Sequence, residues 1–297
     1  MSDHGDPDEL EDHDLGLSHD LPQILEKQSP GLGRRGLLGL FGGVGAVAVV
    51  GCAGDSDEVT LTDSASSSTA AGGDAGGDAT GDSSLSVADG EIPEETAGPY
   101  PGDGSNGVDV LSQSGIVRSD LTSSFGSASG VAAGVPVTVR LTVYDLDGTD
   151  VSPFAGAALY LWHCDREGRY SLYSEGVTEE NYLRGVQETA ADGTVEFTTV
   201  FPACYDGRWP HMHFEVYGSL DSATSYTTKL RTSQLAIPEA SCREVYGVAE
   251  GYDASVANLD RVSLDSDGVF SDGYSLQLAA VTGSVDEGYT FTLNVPV

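Results

Sequence analysis

The segment Cys204-Tyr205-Asp206-Gly207-Arg208-Trp209-Pro210-His211-Met212-His213-Phe214 gathers a phenol, a guanidinium and two imidazoles into eleven residues. Few structural needs call for that mixture. If 211–213 opens a strand, the period of two sets both imidazoles on one face and Met212 on the other. Two imidazoles on one face can grip a single metal ion. Trp209 precedes proline and is biased toward extended backbone, so 205–209 should form a short loop able to fold the Tyr205 phenol back toward the imidazoles as a third ligand. An isolated H-x-H is equally two ordinary histidines, so the metal reading depends on what else the chain supplies.

The elements that must position this cluster read as strands. Residues 197–201 and 214–217 on either side are β-branched and aromatic,. Further alternating or apolar runs occupy 137–144, 157–163, 194–201, 211–217, 226–237, 274–281 and 289–297, with turn signals at Asp147-Gly148, Asp192-Gly193 and Ser271-Asp272-Gly273,. No helical periodicity of useful length appears after Glu91. Seven strands separated by turns predict an all-β fold, an antiparallel β-sandwich.

Composition divides the 297 residues into three parts,. Residues 1–52 carry a polar, acidic start, then Arg34-Arg35 ahead of a short glycine-rich apolar run that ends at Cys52. Such a run is too short and glycine-rich for a comfortable membrane span. It reads as a twin-arginine-type export signal with a lipobox, the protein being an extracytoplasmic or cell-surface lipoprotein anchored at Cys52. Residues 53–90 are Ser, Thr, Gly, Ala and Asp with almost no large apolar side chain, a composition that cannot offset its ordering entropy and predicts a disordered tether. The folded domain is expected over 91–297.

The formal charge is −34. From Cys52 onward 38 acidic residues face 10 basic ones, and the only lysines in the chain are Lys27 and Lys229. That surface argues against nucleic acid or anionic membrane as partners. Lysine depletion beside abundant aspartate suggests adaptation to high salt, where screening relieves self-repulsion. With Cys52 lipidated, Cys164, Cys204 and Cys242 remain in an oxidising compartment, which permits one disulfide without selecting its pair.

Four further motifs bear on the metal. Glu95-Thr96-Ala97-Gly98-Pro99-Tyr100 gives E-T-x-G-P-Y, residues 162–171 give W-H-x-D-x-x-G-x-Y-S, residues 184–189 give R-G-x-Q-x-T, and P-x-C-Y at 202–205 precedes R-x-P-H-x-H-F at 208–214. With these in order from about 94 to 234, the chain resembles the intradiol ring-cleavage dioxygenases, the family of catechol and protocatechuate dioxygenases. The resemblance implies Tyr170 as an equatorial tyrosine ligand, Tyr205 as an axial one, and His211 and His213 as the histidine ligands of a ferric iron. Tyr205, Arg208 and Gln234 then stand at catalytic positions, Gln234 on the loosest alignment. Two phenolates and two imidazoles form a hard, anionic set suited to Fe(III). The implied reaction joins a catechol-type ring with O2, breaking the bond between the two hydroxylated carbons to give a muconate-type diacid. Trp162, His163, Tyr100 and Tyr182 read as packing residues.

Departures from the family pattern carry expectations of their own. Six positions separate Tyr205 from His211, a short spacing that predicts a wider approach to the metal. Ala190 stands where the family usually has aspartate and Cys164 where it often has alanine. No amphipathic helical segment follows the tether of the kind that dimerises catechol-type members, which argues against that dimer. An acidic surface with Arg208 as the one cation placed near the metal favours uncharged catechols. Two other readings remain: a non-catalytic cell-surface β-sandwich that binds iron or catecholates, and a cupin-like metalloenzyme, for which the glutamate and second histidine at the required spacing are missing.

Overall fold

The computed structural model describes residues 90–147 and 150–297. The paired arginines, Cys52 and nearly all of the 53–90 segment lie outside the described residues, as does the tip of the turn after Asp147. Nine strands build two sheets: β1 (Pro136–Asp147), β2 (Asp150–Pro153), β3 (Ala158–Trp162), β4 (Arg184–Glu188), β5 (Thr194–Val200), β6 (His211–Tyr217), β7 (Lys229–Ala236), β8 (Ala280–Ser284) and β9 (Gly288–Pro296). The first sheet runs β2-β1-β9-β8, with β5 pairing the first half of β1 along the edge that β2 continues. The second runs β4-β3-β6-β7. All pairs are antiparallel except β1 with β9, which is parallel, so the sandwich is mixed at that one ladder.

Alternation decides what faces inward. Val137, Val139, Leu141 and Val143 of β1 and Tyr289, Phe291, Leu293 and Val295 of β9 are buried in one core with Leu159, Leu161, Met212, Phe214 and Val216 of the second sheet. That core fills the space between the sheets. The opposite face of the second sheet is buried as well. Ala158, Tyr160, Trp162, Val186 and Tyr217 pack there against Val110, Leu111, Ile116 and Tyr170 from long connections. Every residue of β6 is therefore buried, and the side chains that point away from the main core lie under a layer of loops. The candidate site lies on that face.

Two expectations require correction. Helices are present: α1 (Glu239–Val248) and α2 (Asp253–Leu259) follow β7. In α1, Cys242, Val245 and Tyr246 sit at helical spacing on one buried face of a segment that is otherwise polar, and ten residues is too short for that stripe to stand out,. The cysteines also differ from expectation, since Cys164, Cys204 and Cys242 are all buried free thiols. Each instead meets a backbone carbonyl: Ala203, Arg208 and Ile237 respectively. Burial pushes all three thiols up, Cys204 to about 12, which suppresses the thiolate needed for exchange,.

Candidate metal centre

β6 sets the geometry. With Met212 in the main core, His211 and His213 project together from the opposite face, their rings 4.7 Å apart and their Nε2 atoms separated by 3.1 Å. His213 is held flat against Trp162 of β3, its partner in register, at 5.0 Å and 7° between planes. On the other side of β6 its partner in register is Gln234. His211 Nδ1 donates to the Trp209 carbonyl at 2.5 Å, which leaves Nε2 as the unprotonated nitrogen,. Burial, with help from Arg208, holds both imidazoles well below the usual histidine range, so both are neutral and able to ligate.

The Tyr205 loop folds back toward the imidazoles. Its phenolic oxygen lies 3.3 Å from His211 Nε2. The loop is tied at its start by α2, where Ser255 Oγ accepts from the Cys204 amide at 3.0 Å and Asn258 donates to the Cys204 carbonyl at 2.8 Å. Tyr170 comes from the loop after β3. Asp165, almost fully buried, organises that loop by accepting from the Glu167 and Arg169 amides, from Arg169 Nε and from Tyr182 Oη, each at about 3.0 Å,. Gly168 at φ +86° packs onto Tyr205, where a Cβ would come within 3.3 Å of the Tyr205 Cβ. Leu172 at φ +74° stores strain just past Tyr170,. The Tyr170 ring stands 6.0 Å from Tyr205 and 6.2 Å from His213, edge to face with both. Tyr100 of the E-T-x-G-P-Y segment packs against it at 5.0 Å, tilted by 36°.

All four residues thus converge. Arg208 and Gln234 join them: Arg208 Nη1 is 3.2 Å from His211 Nε2, Arg208 Nη2 donates to Gln234 Oε1 at 2.6 Å, and Gln234 Nε2 donates to the Thr96 carbonyl at 2.9 Å. His163 does not take part. Its ring bonds the Cys164 carbonyl and Thr199 Oγ1, and burial depresses it to about 4. Asp267, absent from any motif, is a member of the cluster through Arg208 Nε at 3.0 Å. Arg184 of the R-G-x-Q-x-T motif, buried, engages Ser171, Pro101 and Tyr160 with its three nitrogens and so ties Pro101 to the residue that follows Tyr170.

The arrangement fits a metal ion on two observations. The Tyr170 hydroxyl is buried and makes no hydrogen bond of acceptable geometry, and the Nε2 atoms of His211 and His213 and the Tyr205 oxygen crowd within 3.1–3.3 Å of one another while His213 Nδ1 is buried without a partner,. A cation relieves both defects, and that separation suits neighbouring ligands with bonds of about 2.0–2.1 Å. Among the described residues no three His, Cys, Asp or Glu side chains cluster, so the donor set stands on the phenols.

A family model described as Dioxygenase matches residues 116–233, a span that contains Tyr170, Tyr205, His211 and His213. Over residues 116–233 the chain matches the intradiol ring-cleavage dioxygenase family. A curated relative of this family, catechol 1,2-dioxygenase 1 of Acinetobacter lwoffii, is 34% identical over 113 residues, covering 32% of this chain and 35% of the relative. Chlorocatechol 1,2-dioxygenase of Rhodococcus opacus is 35% identical over 65 residues, covering 22% and 24%. The chain therefore spans about a third or less of the length of those relatives. Among solved structures, the intradiol ring-cleavage dioxygenase of Tetranychus urticae superposes with a TM-score of 0.52 at 23% identity, over 72% of this chain and 94% of that one, which shows the shared two-sheet fold.

Proposed function

We propose that the domain is an iron-dependent intradiol dioxygenase that opens a catechol-type ring between its two hydroxylated carbons using O2, with Tyr170, Tyr205, His211 and His213 as ligands of Fe(III). The observation that supports this reading best is the convergence of two neutral imidazoles, a phenol 3.3 Å from one of them, and a second, buried phenol that makes no hydrogen bond of acceptable geometry. Held by these four residues, a ferric ion would supply Lewis acidity and redox chemistry toward a catechol and O2.

The chain's own residues supply the rest. Burial raises Tyr205 to about 12 and Tyr170 well above its ordinary value, so each phenol surrenders its proton only to a strong cation,. Tyr205, six positions before His211 and partly exposed, is the side chain free to move and, once deprotonated to the phenolate, to accept a substrate proton,. Tyr170, buried and locked by Tyr100 and the Asp165 loop, is the phenol that stays. Arg208 aims Nη1 at the space beside His211 Nε2, where it stabilises negative charge that develops on the reacting oxygens,. Gln234 fixes that guanidinium in place. We further propose export by the twin-arginine route and lipid anchoring at Cys52, which would deliver a domain folded and loaded inside the cell. The test is oxygen uptake by the iron-loaded protein across a catechol panel, with product analysis. Iron binding without oxygen uptake on any catechol would instead support the non-catalytic surface module.

A further inference from the structure

Arg208 is fully buried, a position that demands a countercharge,. Asp267 provides it from 59 residues further along the chain, with no exposure of its own. One carboxylate oxygen accepts from Arg208 Nε at 3.0 Å and from the Trp209 amide at 2.7 Å. The other accepts from the Val269 and Phe270 amides at 2.8 and 3.2 Å. Four donors converging on one carboxylate overdetermine its position. Asp267 thereby fixes the guanidinium and the backbone two residues before His211 in a single clamp. The same clamp delivers the Phe270 ring, which lies 5.9 Å from the Arg208 guanidinium and 6.5 Å from the His211 ring. A second carboxylate lies near. Glu95, half-buried and hydrogen-bonded by Gln277 at 3.2 Å, immediately precedes Thr96, whose carbonyl accepts from the same Gln234 that holds Arg208.

We propose that Asp267 is a positioning and specificity-determining residue. By cancelling the Arg208 charge inside the site it leaves no cation to receive an anionic ring substituent, and together with Glu95 it restricts the substrate to catechols whose substituents are uncharged. This rests on the intradiol reading above. Arg184, the other buried cation, engages Ser171, Pro101 and Tyr160 with each of its nitrogens and so offers no substitute. A substrate carboxylate would be desolvated against a balanced ion pair and a neighbouring acid, with nothing to repay the lost hydration. An uncharged ring meets no such penalty, while Arg208 keeps its Nη donors directed at the reacting end.

The test is an anaerobic titration of iron-loaded wild-type and Asp267→Asn proteins with catechol and with 3,4-dihydroxybenzoate, read by visible absorption and accompanied by thermal melts. The wild type is expected to bind catechol roughly tenfold or more tightly than the carboxylated ring, and Asp267→Asn to shift that ratio toward the carboxylated ring by a comparable factor. With the titrations run well above pH 7, where Glu95 is charged, Glu95→Gln, half-buried and nearly isosteric, should shift it the same way by less, and it decides the matter if Asp267→Asn does not fold. An unchanged ratio in folded Asp267→Asn overturns the proposal. So does an unchanged ratio in Glu95→Gln when the other variant is unfolded, or a wild type that prefers the carboxylated ring. A wild type that responds to neither ligand overturns the intradiol reading itself and the proposal with it.

Discussion

Replacing Tyr170 by phenylalanine should make the iron-free protein more stable while destroying the centre. The hydroxyl is buried and makes no hydrogen bond of acceptable geometry with the protein, and such an orphan carries a desolvation penalty of about 1–3 kcal/mol,. Phenylalanine removes the penalty and keeps the ring contacts with Tyr100, Tyr205 and His213. For a domain of this size each kcal/mol moves the midpoint by about 2–4 °C, so iron-free Tyr170→Phe should melt roughly 2–12 °C above iron-free wild type. With iron the order should reverse, because ligand-linked stabilisation depends on an affinity the variant has lost. Differential scanning calorimetry of both proteins, stripped and loaded, measures all four midpoints. An iron-free variant that melts below wild type, or a loaded variant that gains as much from iron as wild type does, would refute the claim that Tyr170 is held ready for a metal.

Other perturbations have defined outcomes. Tyr205→Phe should retain iron and catechol but lose turnover by about 10²–10⁴-fold, the range for a lost acid–base group, as single-turnover kinetics would show. Gly98→Ala places a Cβ 3.4 Å from His213 Cε1 at φ +70°, and should cost about 1–2 kcal/mol in denaturant unfolding while weakening iron retention,. Glu95 is raised to about 7, chiefly by burial, so from pH 4.5 to 7 the folded chain holds a proton that the unfolded chain has released. Stability linked to this group is complete below about 4.5 and falls as pH rises through 7, a decline that Glu95→Gln should flatten in melts across that range. The chain's net charge of −34 predicts a midpoint that rises from low to molar salt; an unchanged midpoint would count against adaptation to high salt,.

The parts of the site that sequence made legible are those encoded locally. His211 and His213 share a face because a strand repeats every two residues, and Met212 falls in the core for the same reason,. Tyr205 was within reach because Pro210 and the short loop limit where its phenol can go. Tyr170 was accessible only through its motif, since nothing local to residues 165–171 says that the loop lies across β6. Asp267 was invisible: it sits 59 residues from Arg208 in a chain where aspartate is common, and its partners are mostly backbone amides. Among the elements, β4 escaped notice because Gly185 and Gln187 break any alternation, although its first three residues are buried. The strand expected over 274–281 shrinks to β8, because Tyr274 and Gln277 form a turn whose Gln277 carbonyl accepts from the Ala236 amide instead. The 226–237 run begins with a short 3₁₀ turn at Tyr226–Thr228, capped by Ser225, before β7 starts.

The most direct measurement is product analysis from the iron-loaded wild-type protein turning over catechol under ¹⁸O2. The account predicts a ring opened between the two hydroxylated carbons, giving a muconate-type diacid that carries both labelled oxygen atoms. A ring opened beside those carbons, a product without label, or an unreacted catechol bound to iron would contradict it.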